Sequence, residues 1–252
     1  MIRLDGATVL LQWATGGLGF LWLTTRRREV GLGYGWLLRT IYAFWAIASI
    51  VVGVVFDPVP VREVFAGLMV GATITALVVS IVRRRDGVAK FPAWLDAVAP
   101  GLGLVALVAA GIDAGDPAAL SLARVIVGAA FLGAVSDAML LGHWYLVQPG
   151  LSREPLNQLV RTVGYVWPAE LIVMLWPTGM VSALRGTVDD GYNGLLSWFW
   201  VACAITTIGL VIVTRAALKE KQYAAVMAAT GLLYLAILTA FGMDLVARAI
   251  LA

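Results

Sequence analysis

Residues 33–56 read GYGWLLRTIYAFWAIASIVVGVVF, and Arg39 is the only charged residue among them. A helix crosses the hydrocarbon core of a bilayer with about 20 mostly apolar residues, so this stretch is long enough for one transmembrane helix. Charges, prolines and glycines divide the rest of the chain into similar runs. The predicted spans are 7–25, 33–56, 62–82, 94–112, 119–147, 156–184, 193–214 and 223–250.

The composition of the whole chain also indicates a membrane protein. Of its 252 residues, 61% are hydrophobic and 13% are charged, and the mean hydropathy is +0.91. A soluble domain usually carries about 25% charged residues, and one of this length has no way to hide so much apolar surface. Because the runs do not alternate as barrel strands do, the sequence predicts an all-α integral membrane protein of about eight transmembrane helices.

Basic residues concentrate on one side of the predicted bundle. The odd-numbered connections hold Arg26, Arg27, Arg28, Arg83, Arg84, Arg85, Lys90, Arg153, Arg215, Lys219 and Lys221. The other side holds Arg3, Arg62, Arg124, Arg185 and Arg248, together with Asp57, Asp113, Asp116, Asp189 and Asp190. The positive-inside rule therefore predicts a bacterial-type cytoplasmic (inner) membrane protein with both termini extracytoplasmic. The three arginines after run 7–25 favour a retained helix over a signal peptide.

The chain also resembles itself in sequence order. The matches are Trp22 with Trp144, Arg39-Thr40 with Arg161-Thr162, Trp45 with Trp167, Ala72, Thr75, Val79 and Arg83 with Ala204, Thr207, Val211 and Arg215, and Gly111-Ile112-Asp113 with Gly242-Met243-Asp244. An even number of helices in each half gives both halves one orientation, which predicts two parallel four-helix repeats, 1–116 and 117–252. Chance similarity between apolar helices is the alternative.

Charged residues inside the spans are the candidate functional groups. Arg39 and Arg161 occur in both halves and are interpreted as structural charges that reach the cytoplasmic interface or bond helix-end carbonyls. Asp137, His143 and Glu170 occur in the second half alone. Their counterparts in the first half are Thr15, Leu21 and Ala48.

Asp137 and Glu170 are predicted to form a proton relay. An ionisable group at membrane depth costs several kcal/mol unless it is paired, neutral or hydrated, so such residues suggest function. Structural roles remain open for both: Asp137 against Arg161 or Arg124, and Glu170 on backbone donors freed by a proline kink.

Asp244 and Arg248 lie four residues apart on one predicted helix. Side chains at this spacing lie on the same face of a helix and can pair. They are therefore interpreted as a structural ion pair.

The segment LGHWYLVQPGLSREP, residues 141–155, predicts a tight hairpin at the interface. Within it His143, Trp144, Tyr145 and Gln148 are the candidate residues for binding a quinone or a lipid head group. The alternative for His143 is an interfacial histidine bonded to a backbone carbonyl.

Several classes of function are argued against. One histidine excludes bis-histidine haem ligation within this chain, and no histidine–cysteine cluster predicts a metal site. No basic cluster with interleaved aromatics predicts a nucleic-acid partner, and no catalytic motif occurs.

Three functions remain. The first is a quinone- or lipid-binding, proton-relaying membrane subunit of a respiratory electron-transfer complex, working with membrane lipid and other subunits. The second is a proton-coupled transporter of a small solute, with its site between the halves. The third is a structural or assembly protein.

Overall fold

The computed structural model describes residues 5–85, 91–115, 117–177 and 179–251. Arg3, Lys90 and Asp116, which enter the orientation argument, lie outside the described residues. The described residues form helices and no strand. The helices are α1 Gly6–Thr25, α2 Leu32–Phe56, α3 Pro60–Arg85, α4 Leu95–Asp113, α5 Ala118–Val147, α6 Glu154–Leu175, α7 Gly179–Leu184, α8 Leu195–Ala217 and α9 Tyr223–Leu251.

The predicted all-helical class is confirmed over these ranges, but the sixth predicted run is not one helix. Residues 156–184 divide into α6 and the short α7, with Pro177 at the break. Proline has no backbone N–H to continue a helix, and the last carbonyls of a helix need other donors. Arg124 of α5 supplies them, donating from Nε to the Val173 carbonyl (2.8 Å) and from Nη2 to the Trp176 carbonyl (2.9 Å).

Six helices are long and apolar enough to cross a membrane: α2, α3, α4, α5, α8 and α9. Helices α1 and α6 are outside this set, and their buried polar side chains include Gln12 in α1 and Glu170 in α6. An all-helical chain with six such helices has the architecture of an α-helical, multi-pass membrane protein.

The long helices pack as two rings of four. In the first ring α1 contacts α2, α2 contacts α3, α3 contacts α4, and α4 returns to α1. In the second ring α5, α6, α8 and α9 follow the same cyclic order. The rings meet mainly along α1 and α5, which places these two helices at the centre of the bundle.

Small residues bring the backbones of α1 and α5 together. A Cβ built on Gly133 would lie 2.2 Å from the Gly16 carbonyl carbon, and one built on Gly16 would lie 1.8 Å from the Ala129 carbonyl oxygen. Trp13 adds a hydrogen bond from Nε1 to Ser136 Oγ (2.7 Å). Small residues of this kind let membrane helices approach closely and gain van der Waals contact.

We expect Gly133→Ala to destabilise the bundle, because its methyl group would overlap the backbone of α1. Overpacking of this kind typically costs about 1–3 kcal/mol, measured as a lower thermal midpoint of the purified protein in detergent. Gly71→Ala on α3 is the matched control, since a Cβ there meets no atom within 4 Å. Equal midpoints for the two variants would contradict this packing.

The two ends of the bundle differ in charge. The basic end comprises residues 26–31, 91–94, 148–153 and 218–222, and the acidic end comprises residues 57–59 and 185–194. At the acidic end the Asp190 carboxylate accepts hydrogen bonds from the backbone N–H groups of Ser197, Tyr192 and Gly194 and from the Ser197 hydroxyl. These bonds, chiefly the one from the Ser197 N–H, lower the pKa of Asp190 from 3.8 to about 2. Asp190 therefore secures the start of α8.

This arrangement predicts a pH-dependent contribution to stability. Because the folded-state pKa lies below the ordinary value, Asp190 stabilises the fold above about pH 4 and loses this contribution as the pH falls through 2. Asp190→Asn should lower the thermal midpoint at pH 6, and its difference from the parent should narrow toward pH 2. Asp189→Asn, which alters an adjacent carboxylate bonded to the Gly191 N–H, should show little of this pH dependence.

Candidate functional site

Arg39 forms a buried ion pair with Asp96. Its Nε and Nη2 donate to the two carboxylate oxygens at 2.8 Å each, and Thr25 Oγ1 donates to the same carboxylate at 3.1 Å. Both charged side chains are about 97–98% buried. Arg39 therefore bonds a carboxylate near the basic end rather than helix-end carbonyls. Asp96 was missed because, in sequence, it stands at the first turn of its helix, where a solvated carboxylate is unremarkable.

Arg161 takes a different role from Arg39, although both are matched in the self-comparison. Arg161 is exposed and pairs with Glu154 at 2.6 Å near the start of the same helix. The alignment that matches residues 111–113 with residues 242–244 places Met227 opposite Asp96. Arg161 therefore has no buried carboxylate at the corresponding position of its own half.

Asp137 is completely buried and bonds a tyrosine of the other ring. Its Oδ1 accepts a hydrogen bond from the Tyr42 hydroxyl, and its Oδ2 has no hydrogen-bond partner among the described residues. The Tyr42 ring reaches this position because Gly17 leaves the space, since a Cβ there would lie 2.0 Å from the ring. The open structural interpretation, in which Asp137 pairs with Arg161 or Arg124, is corrected.

Glu170 lies in a buried cluster of charges toward the acidic end. Asp244, Arg248 and Arg124 are its charged neighbours. Both oxygens of Glu170 lack a hydrogen bond of ordinary geometry to any described residue, and the side chain is completely buried. Glu170 therefore bonds none of the backbone donors freed by a kink, and its polar neighbours are charged side chains.

Asp244 and Arg248 anchor this cluster. Arg248 Nε donates to both oxygens of Asp244 at 2.9–3.0 Å, and its Nη2 also donates to the carbonyl of Arg124 (3.0 Å). Gln12 of α1 lies at the same level, donating to the Val125 carbonyl (2.8 Å). The cluster thus lies where α1, α5, α6 and α9 converge.

A second charged group at the acidic end was not anticipated from the sequence. Arg62 of α3 is 99% buried and donates to the carboxylates of Asp5 and Glu63 and to the Thr8 hydroxyl. A cavity of about 20 Å³ is lined by both Arg62 and Arg248. That volume is close to the space that one water molecule requires. The two charged groups therefore flank one small cavity.

Three of the four residues of the predicted quinone or lipid site form hydrogen bonds that fasten connections between helices. Trp144 Nε1 and the Gly31 N–H both donate to Gln148 Oε1 at 3.1 Å, which fastens the α1–α2 connection. Tyr145 donates through its hydroxyl to the Ser152 carbonyl, and its own carbonyl accepts from the Tyr223 hydroxyl (2.9 Å). These contacts fasten the α5–α6 connection and the start of α9.

His143 points away from the other three. It is exposed, and its Nδ1 lies 3.3 Å from the Tyr234 hydroxyl, with the two rings in edge contact. His143, Asp137 and Glu170 thus occupy three separate places rather than one constellation. At 1.5 Å per residue along their helices, His143, Asp137 and Glu170 lie about 6, 15 and 24 Å from the basic end.

The fold and these buried charges define an α-helical, multi-pass membrane protein with ionisable groups inside its bundle. Comparison with models of known families, with curated proteins and with solved structures found no match for this chain. Among the residues that the structure describes, no three histidine, cysteine, aspartate or glutamate side chains are grouped to hold a metal ion.

The Arg39–Asp96 pair gives a direct test of the buried electrostatics. Removing one partner of a buried ion pair leaves an uncompensated charge and costs about 3–5 kcal/mol. Arg39→Gln and Asp96→Asn should therefore each lower the thermal midpoint in detergent strongly, whereas the double variant should lose much less than their sum. Additive losses would show that the two side chains do not depend on each other.

Proposed function

We propose that this chain is a proton-carrying membrane protein in which Glu170 and Asp137 bind and release protons. The observation that supports it most strongly is Glu170, a completely buried carboxyl group that accepts no hydrogen bond from an N–H donor or a hydroxyl of the described residues and lies against a second carboxyl group, Asp244. Buried polar groups are nearly always hydrogen-bonded, and exceptions call for an explanation. Reversible binding of a proton by Glu170 is such an explanation.

A purely structural role explains Glu170 and Asp137 poorly. A carboxylate that fastens helices gains its stabilisation by pairing, as Asp96 does with Arg39 and Asp244 does with Arg248. Neither Glu170 nor Asp137 belongs to an ion pair of the described residues. Both nevertheless occupy the helix interfaces of a membrane bundle, where an unpaired ionisable group is costly to retain.

The neighbours of Glu170 suit proton exchange. The Asp244 carboxylate lies beside it, held by Arg248, and two carboxyl groups in contact can share one proton. Two guanidinium groups and two carboxyl groups make a cluster whose net charge changes by one when a proton binds. The small cavity lined by Arg248 and Arg62 supports a hydrated approach from the acidic end.

Asp137 extends the proposed route toward the basic end. Its free Oδ2 and the Tyr42 hydroxyl on Oδ1 provide one acceptor and one exchangeable proton at the junction of the two rings. Since Asp137 and Glu170 differ in depth by about 9 Å along their helices, water or a conformational change would complete the route.

The proposed topology has eight spans, with α1 and α6 added to the six apolar helices. Their polar side chains are compatible with membrane depth because most residues of α1 are buried, and α6 packs against α5 and α8. The basic end is then cytoplasmic and both termini are extracytoplasmic, in a bacterial-type inner membrane.

The proposed duplication comprises residues 1–116 and 117–252. It is supported by the matching cyclic order of contacts in the two four-helix rings. Because the two halves then share one orientation, the pseudo-twofold axis runs along the membrane normal.

The placement of Asp137 and Glu170 favours a transporter over a respiratory subunit or a structural protein. Asp137 bonds Tyr42 across the boundary of the rings, and Gln12 of the first ring lies beside Arg248 and Asp244 at Gly128. A solute site between two such halves is typical of transporters built from repeats. A proton-relaying subunit of a respiratory complex uses the same two acids and differs in requiring partner subunits.

The quinone or lipid site at His143, Trp144, Tyr145 and Gln148 stays a prediction. Three of these residues already fasten loops through hydrogen bonds, so the proton proposal does not depend on them. His143 remains free to meet lipid at the surface.

The proposal is tested by reconstituting the purified protein into liposomes that contain a pH-sensitive dye, with a potassium diffusion potential as the driving force. Glu170→Gln and Asp137→Asn preserve shape but remove the exchangeable acid, and we expect each to reduce proton flux at least tenfold. Glu154→Gln, at the exposed start of the same helix as Glu170, and Asp189→Asn are the matched controls.

Gentle purification from the native membrane distinguishes a respiratory subunit from a transporter. Stoichiometric redox partners or extracted quinone would indicate a respiratory subunit, and the flux assay would then use that complex. A lone chain that carries protons would indicate a transporter. Flux that is unchanged in both acid variants, or absent from the chain and from any complex it forms, would overturn the proposal.

A further inference from the structure

The Arg39–Asp96 pair leaves one edge of the arginine unused. Asp96 engages Nε and Nη2, so Nη1 faces the other way and has no hydrogen-bond partner among the described residues. Arg39 is 98% buried. A guanidinium group has five N–H donors, and the two on Nη1 are buried without a partner among the described residues.

These donors adjoin a cavity at the basic end. The cavity has a volume of about 190 Å³ and is lined by Arg39, Arg28, Thr25, Phe91 and the start of α2. Gly35 lines it too and adjoins the free edge of Arg39, since a Cβ built there would lie 2.9 Å from Nη1. The Phe91 ring covers the guanidinium at 4.6 Å.

The first turn of α2 contributes a second, independent attraction for anions. Its N-cap is Gly31, which has no side chain to cap the helix, and Leu32 and Gly31 both line the cavity. Backbone N–H groups and the helix dipole at such an end favour negative charge. Arg28, which lines the cavity from the preceding loop in a left-handed backbone conformation (φ 58°), adds a full positive charge.

We propose that this cavity binds the phosphate group of an anionic ligand. Arg39 Nη1, Arg28 and the N-terminus of α2 provide donors from three directions, and guanidinium groups suit phosphate through charge-assisted hydrogen bonds. The cavity lies where α1 ends and α2 begins, at the level of lipid head groups. An anionic phospholipid and a free phosphate share this chemistry. The inference is independent of the proton-carrying proposal.

The test is thermal unfolding of the purified full chain in an uncharged detergent. Dioleoylphosphatidylglycerol and inorganic phosphate are titrated separately, with dioleoylglycerol and sodium chloride as their matched references. We expect a saturable rise in midpoint with the phospholipid, with inorganic phosphate, or with both. The phospholipid alone would identify a lipid head group, phosphate alone a free anion, and both a site that recognises the phosphate group itself.

Variants localise the response to this cavity. Arg28→Asn, which tolerates the left-handed backbone, should weaken the apparent affinity about tenfold, the usual effect of losing one charge-assisted contact. Arg27→Asn is the matched control, because its side chain lines a different cavity, and should change the affinity less than twofold. Arg39→Gln combined with Asp96→Asn removes the free guanidinium edge without leaving Asp96 unpaired, and should also weaken binding.

Three results would overturn the proposal. One is the absence of a saturable response to either phosphate-bearing probe. Another is an equal response to dioleoylglycerol, which would indicate an apolar site. The third is an unchanged affinity in both Arg28→Asn and the double variant, which would place the binding elsewhere.

Discussion

A charged side chain inside a bundle of membrane helices must find its partners within the bundle, because lipid offers none. The described part of this protein meets that constraint with four buried arginines, Arg39, Arg62, Arg124 and Arg248. Arg39 joins α2 to α4, and Arg62 joins α3 to α1 through Asp5. Arg124 bonds a carbonyl at the broken end of α6. Arg248 bonds Asp244 and a carbonyl of α5. The rest of the packing is arranged around these contacts.

The same constraint explains which helices lie at the centre. Helices α1 and α5 carry buried polar groups, including Gln12 and Asp137, and both are enclosed by other helices. Glycines at their crossing allow the backbones to approach so closely that little room is left for side chains. Helices α2, α3, α8 and α9 present large hydrophobic residues outward, as lipid requires.

The two halves use a similar arrangement of helices for different purposes. The first half has a buried ion pair, Arg39 with Asp96, whereas the corresponding Arg161 lies at the surface. The second half has the two completely buried acids that form no ion pair with a described residue, Asp137 and Glu170. The acids proposed to exchange protons therefore both lie in the second half. The candidate phosphate cavity, in the first half, uses the one edge of Arg39 that pairing leaves free.

Local sequence determined the helical class and most of the approximate helix ends, and it indicated Asp137 and Glu170 as acids inside apolar runs, because hydrophobicity, prolines and charges act over one turn or one span. Asp137 and Glu170 stood out in the sequence since a charge inside an apolar run has no local explanation. Only the tertiary structure decided which distant side chains meet: Tyr42 with Asp137, Arg39 with Asp96 and Arg62 with Asp5, pairs that are far apart in sequence and that helix packing brings together. The break in α6 shows the same division, since Pro177 is visible in the sequence whereas the capping by Arg124 depends on how α5 lies beside α6. Pairing between distant side chains depends on the relative rotation and depth of packed helices, which no single helix specifies.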